Sequence, residues 1–232
     1  MADRPDAAAS EVVSAAPEVV RAARPLMVQL VLAGRPVLVV GGGRVATRKV
    51  AQLLDCQAAV LVVAPTVSDE IAAWERAGLL RVERRAFGAD DIDAVDVVFS
   101  ATGVPDVADD VARSARASRR WINSADDPAN CDFLLAATFE RGVVQVAVGT
   151  AGAAPGLAAY CRDRIDDATA PEWEELAAVV ASCRADFRAG GLLTESLDWR
   201  SAPFGGMLEE LQGGRSDRAR ELLELWLSSP SA

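Results

Sequence analysis

The chain contains no histidine. That excludes every Ser-His or Cys-His nucleophilic mechanism and every imidazole metal ligand, so acid–base chemistry falls to Asp, Glu, Lys, Tyr, Cys or bound water. Lysine is nearly absent too: of the 24 basic residues, only Lys49 is a lysine. A net charge of −10 weighs against nucleic acid and anionic membrane as partners. No apolar run reaches the roughly 18–20 residues of a membrane span. The opening residues, Met-Ala-Asp-Arg-Pro-Asp, lack the basic start and apolar centre of a signal peptide. Four cysteines, Cys56, Cys131, Cys161 and Cys183, show no C-x-x-C spacing and read as reduced thiols of a cytoplasmic protein. Residues 1–24, Ala-rich and mildly acidic, read as a mobile tail.

Against these absences stands one dense motif. Residues 37–40 form an apolar, β-branched run that leads straight into Gly41-x-Gly43-x-x-Ala46, and a helical pattern follows. Strand, tight turn and helix start in that order are the dinucleotide-binding arrangement. Gly41 permits the turn, Gly43 lets a pyrophosphate approach the backbone, and Ala46 lets the helix lie close on the strand. The N–H groups near Arg44 and Val45 then face the phosphates. The acidic residue that usually follows the glycines by about 20 positions, to hold the ribose, is missing. The second strand ends Val62-Val63-Ala64-Pro65-Thr66, with no Arg for a 2′-phosphate either, so these residues leave NAD and NADP open.

The pattern predicts strands at 37–40, 59–63, 82–85, 95–100 and 121–123. They alternate with helices at 45–54, from an N-cap at Ser68, and at 107–117. That alternation means βαβ units and a parallel, Rossmann-type α/β sheet. Apolar runs at 133–139 and 143–148, separated by Glu140-Arg141-Gly142, predict a hairpin. The remainder reads as helical: 156–165, then 173–187 behind Pro171 with Gly190-Gly191 as a stop, then a last helix capped by Ser216. Ligands of parallel sheets bind outside the carboxyl ends of strands. Three such ends stand out: the glycine turn, Ser100-Ala101-Thr102-Gly103, and Asn123-Ser124-Ala125-Asp126-Asp127-Pro128. The last offers a catalytic aspartate, although Asp and Asn before Pro are also ordinary turn formers.

In order along the chain, GGGRVATRK, VVAPTVSDEI, SATG, NSADDPANCDFLLAA and RGVVQVAVGTAGAAPGLA resemble the precorrin-2 dehydrogenase and sirohydrochlorin ferrochelatase family, which also forms the N-terminal module of siroheme synthases. The resemblance covers residues 25–165 and is most specific at Asp126-Asp127-Pro128-x-x-Cys131-Asp132-Phe133. It implies a tail (1–24), an NAD-binding Rossmann domain (25–135), a small β-containing dimerisation segment (136–168), a helical domain (169–232) and a homodimer. It implies oxidation of precorrin-2 to sirohydrochlorin by NAD⁺. Some members also insert Fe²⁺, which stays open here. By motif, Asp126 is the general base. Gly41, Gly42, Gly43, Arg44, Val45, Pro65, Thr66 and Thr102 hold the cofactor, and Asn123, Asp127, Thr150 and Arg141 meet the tetrapyrrole, with no resident metal. A polycarboxylate substrate on an acidic chain calls for arginines along the cleft, with Arg119, Arg120, Arg141, Arg162 and Arg164 as candidates.

The chain also departs from the family pattern. Thr102-Gly103 stands for Thr-Asp or Thr-Asn, Gly149-Thr150-Ala151-Gly152-Ala153-Ala154-Pro155 stands for Ser-Thr-Gly-Gly-x-Ser-Pro, and Asn123-Ser124-Ala125-Asp126 stands for Asn-Val-Val-Asp. These departures keep a second reading open, a catalytically degenerate module that senses NAD(H).

Overall fold

The computed structural model describes residues 25–125 and 127–229. The expected tail and Asp126 lie outside the described residues. The chain divides into two units, one running to Leu135 and including Ala151–Ala153, the other comprising Ala136–Thr150 and Ala154 onward.

The first unit is a parallel sheet of five strands: β1 (Pro36–Val40), β2 (Ala59–Val63), β3 (Arg81–Glu83), β4 (Val97–Ser100) and β5 (Trp121–Ser124). Their spatial order is β3-β2-β1-β4-β5. Helices α1 (Arg44–Asp55), α2 (Asp69–Arg76) and α3 (Pro105–Ala117) make the crossovers. This is the α/β architecture that the alternation predicts, and the strand order reverses between β1 and β4. Both faces of the central strands are covered, which explains why β1 reads as an unbroken apolar run. Val37 and Val39 pack with Val50 and Leu53 of α1 on one face. Leu38 and Val40 pack with Val111, Ala112 and Ala115 of α3 on the other. Each fully buried Val or Leu among them contributes about 1.5–3 kcal/mol relative to exposure. Ser68 caps α2, its hydroxyl accepting the Ile71 N–H.

The second unit opens with an antiparallel hairpin, β6 (Ala137–Arg141) and β7 (Val144–Val148), and continues with α4 (Pro155–Ala168), α5 (Trp173–Ala189), α6 (Phe204–Gln212) and α7 (Ser216–Leu227). Three local expectations need correction. The hairpin does not begin at Phe133 but at Ala137, because Phe133 is drawn into the first unit's core against Phe99. Its turn is Gly142-Val143 rather than 140–142: Arg141 pairs with Val144, and Gly142 carries the positive φ (57°) that a two-residue hairpin needs at its first position. Ser216 is not the cap of α7. It lies inside the helix and its hydroxyl donates to Glu175, leaving Arg215 at the N-cap without a side-chain bond. No described helix is long and apolar enough to cross a membrane.

Candidate dinucleotide and active site

The sheet's carboxyl edge is assembled from three loops, each locked by backbone bonds that extend the ladder past the strand ends. Gly41 N–H donates to Val63 (3.0 Å), Ala101 N–H to Val40 (2.8 Å) and Ala125 N–H to Ser100 (2.8 Å). The glycine turn is wedged between the loops after β2 and β4. Gly41 has φ 120°, and a Cβ on it would stand 2.3 Å from the Ala101 carbonyl oxygen. A Cβ on Gly42 would stand 2.1 Å from the Thr66 carbonyl oxygen. Gly43 is different: it is exposed, and a Cβ there would meet nothing within 4 Å. The first two glycines therefore serve the protein's own packing, and the third leaves the backbone open to a ligand. Gly43 is also the N-cap of α1. It provides no side-chain cap, and the first turn holds no acidic residue. The positive end of the helix dipole and its unpaired N–H groups thus face outward, as an anionic group requires. Ala46, fully buried, lets α1 sit close on the sheet.

Arg44 is exposed and Val45 half-buried at this helix start, and Pro65 and Thr66 are exposed on the neighbouring loop. Thr102 closes the loop after β4 on itself, its hydroxyl accepting the Val104 N–H at 2.9 Å. Gly42 C=O accepts the Ser68 N–H (2.8 Å), and the Thr47 hydroxyl bridges Gly43 C=O (3.1 Å) and Ser68 Oγ (2.8 Å). The predicted cofactor residues are thereby brought together along one edge, around the point where strand order reverses.

The turn after β5 occupies the same edge. Its sequence motif is a set of tethers. Asp132 returns to β5 twice, its N–H donating to Ile122 C=O (2.8 Å) and its carboxylate accepting the Ile122 N–H (3.2 Å). Asn123 is buried and donates its amide to Phe133 C=O at 3.0 Å. The Cys131 thiol sits inside the turn. It accepts from Ser124 N–H (3.2 Å) and donates toward Ser124 C=O (3.2 Å) and Asp127 C=O (3.4 Å). Burial pushes this thiol above its usual range. The Ser124 N–H opposes that, Asp127 and Asp132 add to it, and the Lys49 ammonium offsets part of it. Asp127 accepts from Asn130 Nδ2 at 2.7 Å. From α3, Arg116 donates to Asn130 Oδ1 (3.0 Å) and Ala129 C=O (3.1 Å). A hydrogen-bonded frame therefore ties residues 127–133 to the end of β5 and to α3.

Comparison with known proteins places this geometry. Residues 28–137 match the family model described as "Putative NAD(P)-binding". The siroheme synthase of Methylococcus capsulatus is 36% identical over 202 residues, covering 86% of this chain and 43% of that protein. The siroheme synthase of Nitrosococcus oceani is 31% identical over 201 residues, again 86% of this chain and 43% of that protein. The chain thus spans less than half the length of these relatives. Among solved structures, SirC, a precorrin-2 dehydrogenase, superimposes with a TM-score of 0.62 at 29% identity, covering 87% of this chain and 98% of SirC.

What the chain shares with these proteins is the nucleotide-binding sheet and, with SirC, almost the full length of that protein. The residues of the second unit that the family resemblance singled out are engaged locally. Arg141 pairs with Asp166 and lies over the Phe139 ring at 5.4 Å, and the Thr150 hydroxyl accepts the Ala154 N–H at 3.1 Å ahead of α4. Arg162 bonds Thr138 C=O and Asp163, and Arg164 pairs with Asp167. The expectation for Arg119 and Arg120 is overturned. They follow α3 and precede β5, which puts them at the amino edge of the sheet, opposite the glycine turn. There Arg120 donates to Asp93 C=O (3.2 Å) and pairs with Asp96 (3.9 Å). Two residues stand out only in three dimensions. Lys49 projects over the Phe99 ring at 5.9 Å, and Cys131 knits the aspartate turn. The available signal for Lys49 was its place on the helix stripe of Ala46 and Leu53; Cys131 had no local signal beyond the motif.

Proposed function

We propose that the chain is an NAD⁺-dependent dehydrogenase that oxidises precorrin-2 to sirohydrochlorin. The observation that carries this reading is the likeness to SirC over 98% of that protein, joined to an edge whose glycine turn is shaped for a pyrophosphate. The residues fit the cofactor: Gly43 leaves room for close approach, and α1 presents an uncapped N-terminus without a competing carboxylate. Gly41, Gly42 and Gly43 with the N–H groups of Arg44 and Val45 would hold the pyrophosphate, flanked by Pro65, Thr66 and Thr102. When bound, NAD⁺ supplies the acceptor for a hydride.

The chain's own part is orientation and proton transfer. Asp126 accepts the proton that leaves the tetrapyrrole as the hydride departs, so the substrate loses two electrons and two hydrogens and nothing else. An aspartate does this without histidine. Asp127 and Asn123 hold the turn through Asn130 and Phe133, and the family resemblance is what gives Arg141 and Thr150 to substrate carboxylates.

The test is anaerobic turnover of enzymatically made precorrin-2, read by NADH formation and the sirohydrochlorin spectrum, with NAD⁺ and NADP⁺ in parallel. Turnover with NAD⁺ is expected, falling by about 10²–10⁴-fold in Asp126→Asn while NADH binding is retained. Binding of NADH without any turnover by the wild-type protein defeats the enzyme reading in favour of a sensing module. Adding Fe²⁺ to the product then reads metal insertion.

A further inference from the structure

Thr47 and Ser68 belong to different helices and lie 21 positions apart, yet their hydroxyl oxygens stand 2.8 Å apart beside the glycine turn. Local rules place each of them. Thr47 sits in the first turn of α1, and a threonine hydroxyl in a helix reaches back to the carbonyl four residues earlier. Here that carbonyl is Gly43, at 3.1 Å. Ser68 is the N-cap of α2, and its oxygen accepts the Ile71 N–H at 3.3 Å. The Ser68 N–H donates to Gly42 C=O at 2.8 Å.

Each hydroxyl has one hydrogen to give, and the surrounding bonds decide its direction. Thr47 gives its hydrogen to Gly43 C=O. Ser68 gives its own to Thr47 Oγ1 and keeps an oxygen lone pair for Ile71. The reverse direction between the two hydroxyls would strand the Ser68 hydrogen. The result is a relay, Ser68 to Thr47 to Gly43, in which each bond strengthens the next. A carbonyl and the N–H that follows it form one peptide unit, so a bond accepted at the oxygen makes that N–H a stronger donor. Gly42 C=O shares its peptide with the Gly43 N–H and takes the Ser68 N–H. Gly43 C=O shares its peptide with the Arg44 N–H and takes both the Thr47 N–H, at 2.9 Å, and the Thr47 hydroxyl. Those two N–H groups open α1, where a helix has no carbonyl of its own to offer them. They stand at the one glycine of the turn whose backbone is open to a ligand, within the residues that match the NAD(P)-binding model.

We propose that Thr47 and Ser68 are positioning residues that aim and polarise the Gly43 and Arg44 N–H groups toward a dinucleotide pyrophosphate. The proposal rests on the reading of the glycine turn as the pyrophosphate site. The relay acts through the backbone, so its effect falls on cofactor affinity and not on the chemical step. It also ties the loop after β2 to the glycine turn, because Ser68 belongs to the one and Thr47 to the other's helix.

Three readouts test this on the full chain. The first is calorimetric titration with ADP-ribose, which carries the adenosine and pyrophosphate without the nicotinamide. Thr47→Val keeps the side chain's shape, loses the hydroxyl and weakens binding by about 3–10-fold, the worth of one hydrogen bond. Thr47→Ser returns the affinity. Ser68→Gly keeps the backbone donor and costs a helix cap little, and it weakens binding by about 2–5-fold. In the second, precorrin-2 oxidation, Thr47→Val raises KM for NAD⁺ by the same factor and leaves kcat and the KM for precorrin-2 unmoved. The third is NMR without any ligand: the Arg44 amide nitrogen moves upfield in Thr47→Val, as its peptide loses polarisation, and returns in Thr47→Ser. Wild-type ADP-ribose affinity in both Thr47→Val and Ser68→Gly overturns the proposal. So does a loss that Thr47→Ser does not restore, or a fall in kcat with an unmoved KM for NAD⁺. Wild-type protein that binds neither ADP-ribose nor NADH defeats the pyrophosphate reading instead, and the Arg44 resonance still reads the relay.

Discussion

Three consecutive glycines carry three different demands. Gly41 and Gly42 are required by backbone oxygens of Ala101 and Thr66, rigid atoms that a methyl group cannot displace, whereas Gly43 opens onto solvent. Gly42→Ala is therefore expected to lower stability by about 1–3 kcal/mol, the usual cost of overpacking, in a urea melt. Gly43→Ala should melt like wild type and weaken NADH binding in a fluorescence titration. The opposite ordering of the two variants would contradict the geometry. The fingerprint's spacing was legible in sequence. The reason for Gly42 was not, because Thr66 reaches it only through the pairing of β1 with β2. The same holds for Cys131. Along the chain it is one letter of the resemblance motif, and its bonding inside a turn whose other wall is the end of β5 comes only from the fold.

At the scale of elements, the periodic helices declared themselves. Ala219, Leu223 and Leu227 recur every fourth position on α7 and are buried with Met207 and Leu211 of α6 and Cys183 of α5. Leu223→Ala opens a cavity in that cluster and is expected to cost about 2–5 kcal/mol. Leu225, 62% exposed on the same helix, should change stability by no more than about 0.5 kcal/mol on the same substitution. Equal losses in chemical denaturation would mean that the cluster does not hold α7. Element ends were less legible than element cores. Ser216 has the residue type of a cap, yet Glu175 of α5 takes its hydroxyl, and a side chain from a neighbouring helix outweighs the local preference. Phe133 continues an apolar run toward the hairpin, yet Phe99 captures it.

For the whole molecule, acid is the informative variable. The Arg85 guanidinium holds the Asp91 carboxyl below its ordinary range through bonds of 2.6 and 2.8 Å, with burial opposing and the Gly88 N–H assisting. Arg84 does the same for Glu75, chiefly by hydrogen bonding. Both pKa values are depressed in the fold, so the unfolded chain binds protons first as pH falls. The contribution of these pairs is fully present above the ordinary carboxylate range and is lost below about pH 4, as pH drops through the folded values. Urea midpoints should be insensitive to these pairs from about pH 7 to 5 and fall steeply below about 4, with a shallower acid slope in Asp91→Asn. An unchanged slope in that variant would remove Asp91 from the account.

The alternation of β-branched runs with helical stripes specified the parallel sheet, its flanking helices and the edge where a nucleotide belongs, because periodicity and glycine spacing act between residues close in the chain. Folding alone settled which side chains meet at that edge. Arg119 and Arg120, promising on charge, are carried to the far edge by the direction of α3, while Lys49, on the helix stripe of Ala46 and Leu53, is brought over the Phe99 ring. Strand register and helix packing set those encounters, and they join positions that no local pattern relates.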